Sequence, residues 1–346
     1  MNAPNAVGSS ARFRSAMTPP VSAGPGMVER IVEAVRAAEQ AGYDDVWLAD
    51  AGGIDALTLA AIVLDRTERI RVGIAVVPAY TRTPAVFAAT VATLADLAPG
   101  RFALGLGTSS EAMINGWHGL SLERPVVRMR ETLALLRSIF AGERTSFTGE
   151  TLRSTGYRQP ALATPVPILL AALRPRMTEL AVAAADGIIL NLFPLSALDT
   201  LMAGIHNAAI RLGRDLAGIE VASRFQGQVV VNEAEHAAAR DTFRFHFTPY
   251  FANPVYNAFL AEAGYPDIAA ELGSHARVGN WAGARACLTD ELVDEIAVIG
   301  DAEHFRARLG TYAKAGISTP IMFCLSPEPE HQRRTFEALR TVGAAQ

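Results

Sequence analysis

The sequence predicts a single-domain (β/α)8 barrel, the TIM architecture, over residues 1–346. Three observations predict it. Eight short apolar runs alternate along the chain with amphipathic helical segments. The runs are continuous, without the inside–outside alternation of a half-exposed sheet, as in parallel strands covered on both faces. Half of the 346 residues are hydrophobic, enough for one large core, and barrels of this class commonly reach such a length as one unit. Eight strand–helix units favour a closed barrel. The competing arrangement is a doubly wound open sheet with a C-terminal helical domain.

Taken in order, residues 13–17 form a weak first strand, followed by a Pro/Gly-rich loop over 19–26. The next helix carries Val28, Ile31, Val32, Val35 and Ala38 at the spacing of one buried face, and Gly42 stops it. Residues 45–49 are a strand ending at Asp50, with a helix over 56–66. A strand over 70–77 leads to a helix over 84–97 that opens with Pro84, whose ring suits a first helical turn. Strand 101–106, helix 125–140, strand 166–171, helix 175–185, strand 187–191 and helix 196–212 continue the rhythm. A strand over 226–231 and a helix over 234–247 follow. A helix over 304–315, capped by Gly300-Asp301, precedes the last strand, 319–325, and the last helix, 328–342. Two segments break the pattern. Residues 142–164 are an irregular excursion with a short hairpin strand near 145–148. Residues 248–285, rich in aromatics, have the size of a lid or an oligomer contact on the C-terminal face of the strands.

Composition excludes several classes. The formal net charge is −4 with a pI near 6.0, which argues against a nucleic-acid surface and an electrostatic membrane anchor. No apolar run approaches the ~18 residues of a spanning helix. Residues 1–10 lack the pattern of a secretory signal and are expected to be a disordered lead-in. Cys287 and Cys324 are read as reduced thiols of a cytoplasmic protein. The seven histidines have no ligand spacing, so no metal is expected. There is no P-loop, no HExxH and no GxSxG.

Barrel chemistry sits at the C-terminal ends of the strands. The positions to inspect are therefore Asp50 and Ala51, 75–80, 107–111, 172–176, 191–193, and Arg224 or Gln226. Ala172, Leu173, Arg174, Pro175 and Arg176 join a strand to a helix. Free N–H groups, the helix dipole and two arginines make this turn an anion site, or else a solvated basic turn. Thr108, Ser109 and Ser110 could admit a ligand closely and donate hydrogen bonds, or serve as a polar turn. Gly105-Leu106-Gly107 is part of a dinucleotide fingerprint, but Ser110 stands at the third glycine. Three groups could carry a proton: Asp50, otherwise a helix cap; Glu111, otherwise a solvated first-turn carboxylate; and His118, otherwise a packed loop residue.

Five stretches resemble one family, the luciferase-like monooxygenases. They are 37–50 (AAEQAGYDDVWLAD), 71–84 (RVGIAVVPAYTRTP), 97–108 (LAPGRFALGLGT), 171–187 with its phosphate turn and closing Ala-Asp-Gly, and 298–317. The match runs over nearly the whole chain. Within the family the sequence is similar to the branch that uses the deazaflavin coenzyme F420, which includes methylenetetrahydromethanopterin reductase-like proteins. The Gly-Thr-Ser-Ser turn, the Trp-His-Gly loop and the Ala-Ala-x-x-Pro-Arg-Met turn carry this likeness. The resemblance implies a non-prolyl cis peptide at Ala75-Val76 backing the cofactor ring. It also implies cofactor phosphate at 173–176 and hydroxyl contacts from Thr108 and Ser109. One departure stands out: the family's F420 enzymes often have a histidine after the strand-two aspartate, and here that position is Ala51. Proton transfer then falls to His118 or Glu111, or is not needed.

The implied activity is hydride exchange between F420 and a small organic substrate, stacked under loops at Trp117 and Phe251. The alternatives are an FMN-dependent monooxygenase using dioxygen, and a flavin- or deazaflavin-binding protein without turnover. The apolar-rich barrel with its aromatic insertion points to a homodimer.

Overall fold

The structure is a computed structural model that describes residues 13–20, 24–50 and 52–343. The expected lead-in at 1–10 and the departure at Ala51 both lie outside the described residues. The chain runs β1 (Ala16–Met17), α1 (Met27–Gln40), β2 (Asp45–Leu48), α2 (Ala56–Asp65), β3 (Arg71–Ile74), β4 (Val77–Pro78), α3 (Pro84–Leu97) and β5 (Phe102–Gly107). A π-helical turn (Ala112–Trp117), α4 (Pro125–Phe140) and the hairpin of β6 (Ser146–Thr148) and β7 (Arg153–Thr155) follow. Then come β8 (Ile168–Ala171), α5 (Pro175–Ala184), β9 (Gly187–Asn191), α6 (Leu198–Leu212) and β10 (Glu220–Val229). The helical insertion holds α7 (Glu233–Ala252), α8 (Pro254–Glu262), α9 (Pro266–Arg277), α10 (Trp281–Ala286) and α11 (Asp290–Ile296). It ends at β11 (Val298–Gly300), and α12 (Ala302–Ala315), β12 (Thr319–Cys324) and α13 (Pro329–Gly343) close the chain.

Among the described residues, β1, β2, β3, β5, β8, β9, β10 and β12 pair in parallel as a ring, and β12 returns to β1 through Ile321 beside Ala16. This is the closed barrel the apolar runs predict. No described helix is long and apolar enough to cross a membrane.

The lumen explains the closure. Ala16, Trp47, Ala75, Ala103, Leu169, Ile189, Ala222 and Ile321 form one buried cluster, with one residue from each ring strand or the residue that follows it. Trp47, 1% exposed, fills the middle of this layer. It fits because its neighbour on β3 is Gly73, where a Cβ would stand 2.4 Å from the indole. Outside the ring, a large apolar cluster ties strands to helices, and a second lies beneath the insertion around Phe243, Phe251 and Leu272.

Below the lumen lies a cluster of charges. Asp45, fully buried, accepts from Arg14 Nε at 2.9 Å and from Arg71 Nη2 at 2.7 Å. Arg71 also donates to Glu220 at 2.6 and 2.8 Å, and the Thr319 hydroxyl donates to Glu220 at 2.6 Å. Burial pushes the Asp45 carboxyl up, but the two arginines override it and hold it below the ordinary carboxylate range.

Several expectations need correction. The seventh ring strand begins at Glu220, six residues before the apolar signal at 226, because Glu220, Ser223 and Arg224 interrupt that signal. The first strand shrinks to Ala16–Met17. The helix expected to end at 247 continues to Ala252 with Pro249 inside it. Phe251, expected over the substrate, is therefore 1% exposed and packs in the core beneath the insertion.

Candidate active site

The third strand breaks where the barrel mouth begins. Gly73 pairs with Ala103, and Val77 pairs with Leu106. Four steps on one strand thus face three on the other, which is a β-bulge of one extra residue. The peptide within it, Ala75-Val76, is cis, at the position the resemblance implies. The neighbouring strand makes room. A Cβ on Gly105 would stand 1.9 Å from the Ile74 carbonyl oxygen, and one on Gly107 would stand 2.4 Å from Val76 Cγ2. The Gly-Leu-Gly of β5 is thus the counterpart of the bulge, and this accounts for it without a dinucleotide. There β5 packs directly against the Ile74 carbonyl and the Val76 side chain.

Beyond Gly107 the half-buried Thr108 and Ser109 turn the chain away, with Ser109 in the left-handed region at φ 63. The Ser109 hydroxyl lies 3.1 Å from Met113 Sδ. At the end of β1, Thr18 is buried and its hydroxyl has no partner among the described residues. On the next ring strand, Ala172 is buried, Leu173 is half-buried, and Arg174 sits at the N-cap of α5 before Pro175. Arg174 meets Glu262 of α8 at 2.6 Å, while the exposed Arg176 has no ion-pair partner among the described residues.

The three proposed proton carriers are not joined to one another by any hydrogen bond among the described residues. Asp50 meets Arg82 Nη1 at 2.8 Å, and Arg82 also reaches Asp55, the N-cap of α2. Glu111 and His118 are exposed at either end of the π-helical turn. Trp117, 59% exposed, lies over Gly52, where a Cβ would come within 3.2 Å of its ring.

Sequence reasoning named Arg224 and Gln226 for inspection but assigned them no role. Alternation from the lumen residue Ala222 puts both on the inner face of β10. Arg224 Nη1 donates to the Ala75 carbonyl oxygen, across the mouth, at 3.3 Å. Gln226 Nε2 donates to Asn191 Oδ1 at 3.1 Å, and Asn191 Nδ2 donates to the Tyr256 hydroxyl at 3.0 Å. Burial pushes the Tyr256 hydroxyl up to about 12. The missed signal was a charged residue two positions after a lumen alanine; reading it required the true start of the strand.

A parallel barrel with a bulged cis peptide and a helix N-terminus at its mouth defines the class: a (β/α)8 protein with its candidate site at the C-terminal strand ends. The family model for luciferase-like monooxygenases matches residues 7–319, and the chain belongs to that family. It is 29% identical over 327 residues to a candidate coenzyme F420-dependent oxidoreductase of Mycobacterium tuberculosis, covering 86% of this chain and 91% of that one. It is 26% identical over 304 residues to the 5,10-methylenetetrahydromethanopterin reductase of Methanolobus tindarius, covering 84% and 89%. The coenzyme F420-dependent tetrahydromethanopterin reductase of Methanopyrus kandleri shares the fold, with a TM-score of 0.74 and 18% identity over 96% of this chain and 98% of that one.

Proposed function

We propose that this chain is a coenzyme F420-dependent oxidoreductase, exchanging a hydride between the deazaflavin and a small organic substrate. The observation that carries this reading is the bulge at Ala75-Val76, set against Gly105 and Gly107 at the mouth. The bulged peptide offers a planar tricyclic ring a backbone surface, and the buried Thr18 hydroxyl, without a partner among the described residues, offers it a polar one. The name of the Mycobacterium relative favours the deazaflavin over FMN.

When bound, the deazaflavin supplies the hydride chemistry. The chain's own part is to hold and orient. Ala75 and Val76 back the ring. Thr108 and Ser109 donate hydroxyl hydrogen bonds. Ala172, Leu173, Arg174 and Arg176, with the α5 N-terminus, hold the phosphate. Asp50, paired with Arg82, fixes the loop after β2, and Glu111 and His118 are the groups at the rim able to carry a proton. Residues 248–285 act as a lid, and the working form is a cytoplasmic homodimer.

The test is titration of the purified protein with F420 and, separately, FMN, followed by cofactor fluorescence. F420 should bind saturably and more tightly than FMN, and Arg176→Ala should weaken it about tenfold, the worth of a charge-assisted hydrogen bond. Tighter FMN binding overturns the reading in favour of dioxygen-dependent monooxygenation. Tight F420 binding without turnover on any of a broad substrate panel favours a binding protein.

A further inference from the structure

Most half-buried arginines elsewhere in this molecule are neutralised by carboxylates or by pairs of carbonyls. Arg71, Arg82, Arg240, Arg244 and Arg334 each meet at least one carboxylate. Among the described residues Arg101 and Arg308 meet none, but their guanidinium groups each reach two backbone carbonyls. Arg128 and Arg285 have neither arrangement among those residues, but each guanidinium lies over an aromatic ring, Tyr80 at 5.2 Å and Phe245 at 5.9 Å. Arg224 has none of the three among the described residues. Among the described residues its one acceptor is the Ala75 carbonyl, at 3.3 Å, and no carboxylate lies within ion-pair distance. A guanidinium carries five N–H donors, so most of this one's capacity is unused.

The position makes this informative. Arg224 stands on the lumen face of β10, between Asn191 on β9 and Ile321 on β12. Solvent still reaches part of the side chain, while protein atoms surround it as densely as in the interior. Together these describe a group low in an open well. Tyr250 and Tyr256, from α7 and α8, are the titratable groups that bear on it. The ring of Tyr250 lies 5.7 Å from Phe247, which in turn lies 6.2 Å from Phe323. The well therefore has a cation low down and aromatic rings on its insertion side. Burial of an unpaired cation is costly and pulls its proton affinity down; an anion entering the well relieves that cost.

We infer that Arg224 anchors the substrate, and that the substrate is a small carboxylate with an apolar body. The carboxylate pairs with the free edge of the guanidinium and the body rests against the tyrosines and phenylalanines. This rests on the reading of the mouth as the active site and narrows its substrate class. A planar fork of donors matches a carboxylate with two parallel hydrogen bonds. The anionic end of the cofactor has its own place at the α5 turn, so Arg224 remains for the second ligand.

The experiment uses the full chain loaded with F420, probed with benzoate and with benzamide as its neutral counterpart. Heat of binding and cofactor fluorescence are the readouts. Benzoate should bind at least about tenfold more tightly than benzamide, the worth of one charge-assisted pair. Arg224→Met should abolish that preference, Arg224→Lys should retain part of it, and F420 affinity should stay within about threefold in both, as for a residue outside the phosphate turn. Equal binding of the two probes, or benzoate binding untouched by Arg224→Met, overturns the inference. So does an F420 affinity that falls as far as benzoate affinity, which would give Arg224 to the cofactor. Should the chain not bind F420, the parent reading fails by itself. The two probes on the unloaded protein, with Arg224→Lys as the mildest variant, then decide the role of Arg224 separately.

Discussion

On the inner face of the ring, the two ends of the barrel treat charge in opposite ways. At the N-terminal end, Arg14, Asp45, Arg71, Glu220 and Thr319 saturate one another. At the C-terminal end, Arg224 reaches one carbonyl oxygen. One strand contributes to both: Glu220 and Arg224 lie four residues apart on β10, about 13 Å along a strand. The difference separates what holds the fold from what is left free for a ligand. A closed network gains nothing from a visitor; an open one does.

Three substitutions would break or sharpen that contrast. The largest effect should come from Asp45→Asn, which leaves two enclosed arginines short of their shared carboxylate. Breaking a buried pair in this way costs about 3–5 kcal/mol, measurable by urea unfolding at pH 7. The Asp45 carboxyl is depressed in the folded state, so its stabilisation is complete above the unfolded value of about 3.9 and fades as pH falls through the folded value. The gap between wild type and variant should therefore narrow when unfolding is repeated near pH 3; an unchanged gap would mean that charge is not the cause.

Gly105→Ala comes next. Its Cβ would meet the Ile74 carbonyl oxygen, so the bulge must move, at about 1–3 kcal/mol for an overpacked site. Cofactor titration should show weaker binding than in wild type even where the variant is folded. Full binding would detach the bulge from the ring site.

The smallest effect has the opposite sign. Arg224→Met should raise stability by about 0.5–2 kcal/mol, because it removes a cation that the fold leaves unpaired at a functional position. A loss of stability would show that the open end is structural after all.

The barrel was legible because continuous apolar strands and amphipathic helices leave separable patterns. Strand β10 was half hidden because its inner face carries Glu220 and Arg224, so the chemistry itself erased the hydrophobic signal. The bulge at Ala75-Val76 came from resemblance; the local reason for it, Gly105 and Gly107 on the facing strand, needed coordinates. Phe251 was misplaced because a proline normally ends a helix, whereas α7 runs through Pro249, with the Thr248 hydroxyl donating to the Arg244 carbonyl one turn back. The partners of Asp50 and Arg174, Arg82 and Glu262, lie far enough away in sequence that no spacing rule could pair them.

Trp47, the indole that fills the lumen, gives the molecule a native optical probe. Of the three tryptophans, Trp117 and Trp281 are 59% and 42% exposed, while Trp47 is 1% exposed beneath the mouth with the Arg71 guanidinium 5.5 Å from its ring. A dissolved quencher such as iodide reaches the first two and spares the third. The emission that survives quenching therefore comes from one residue in the same lumen layer as Ala75, and it reports on the barrel interior without any label attached.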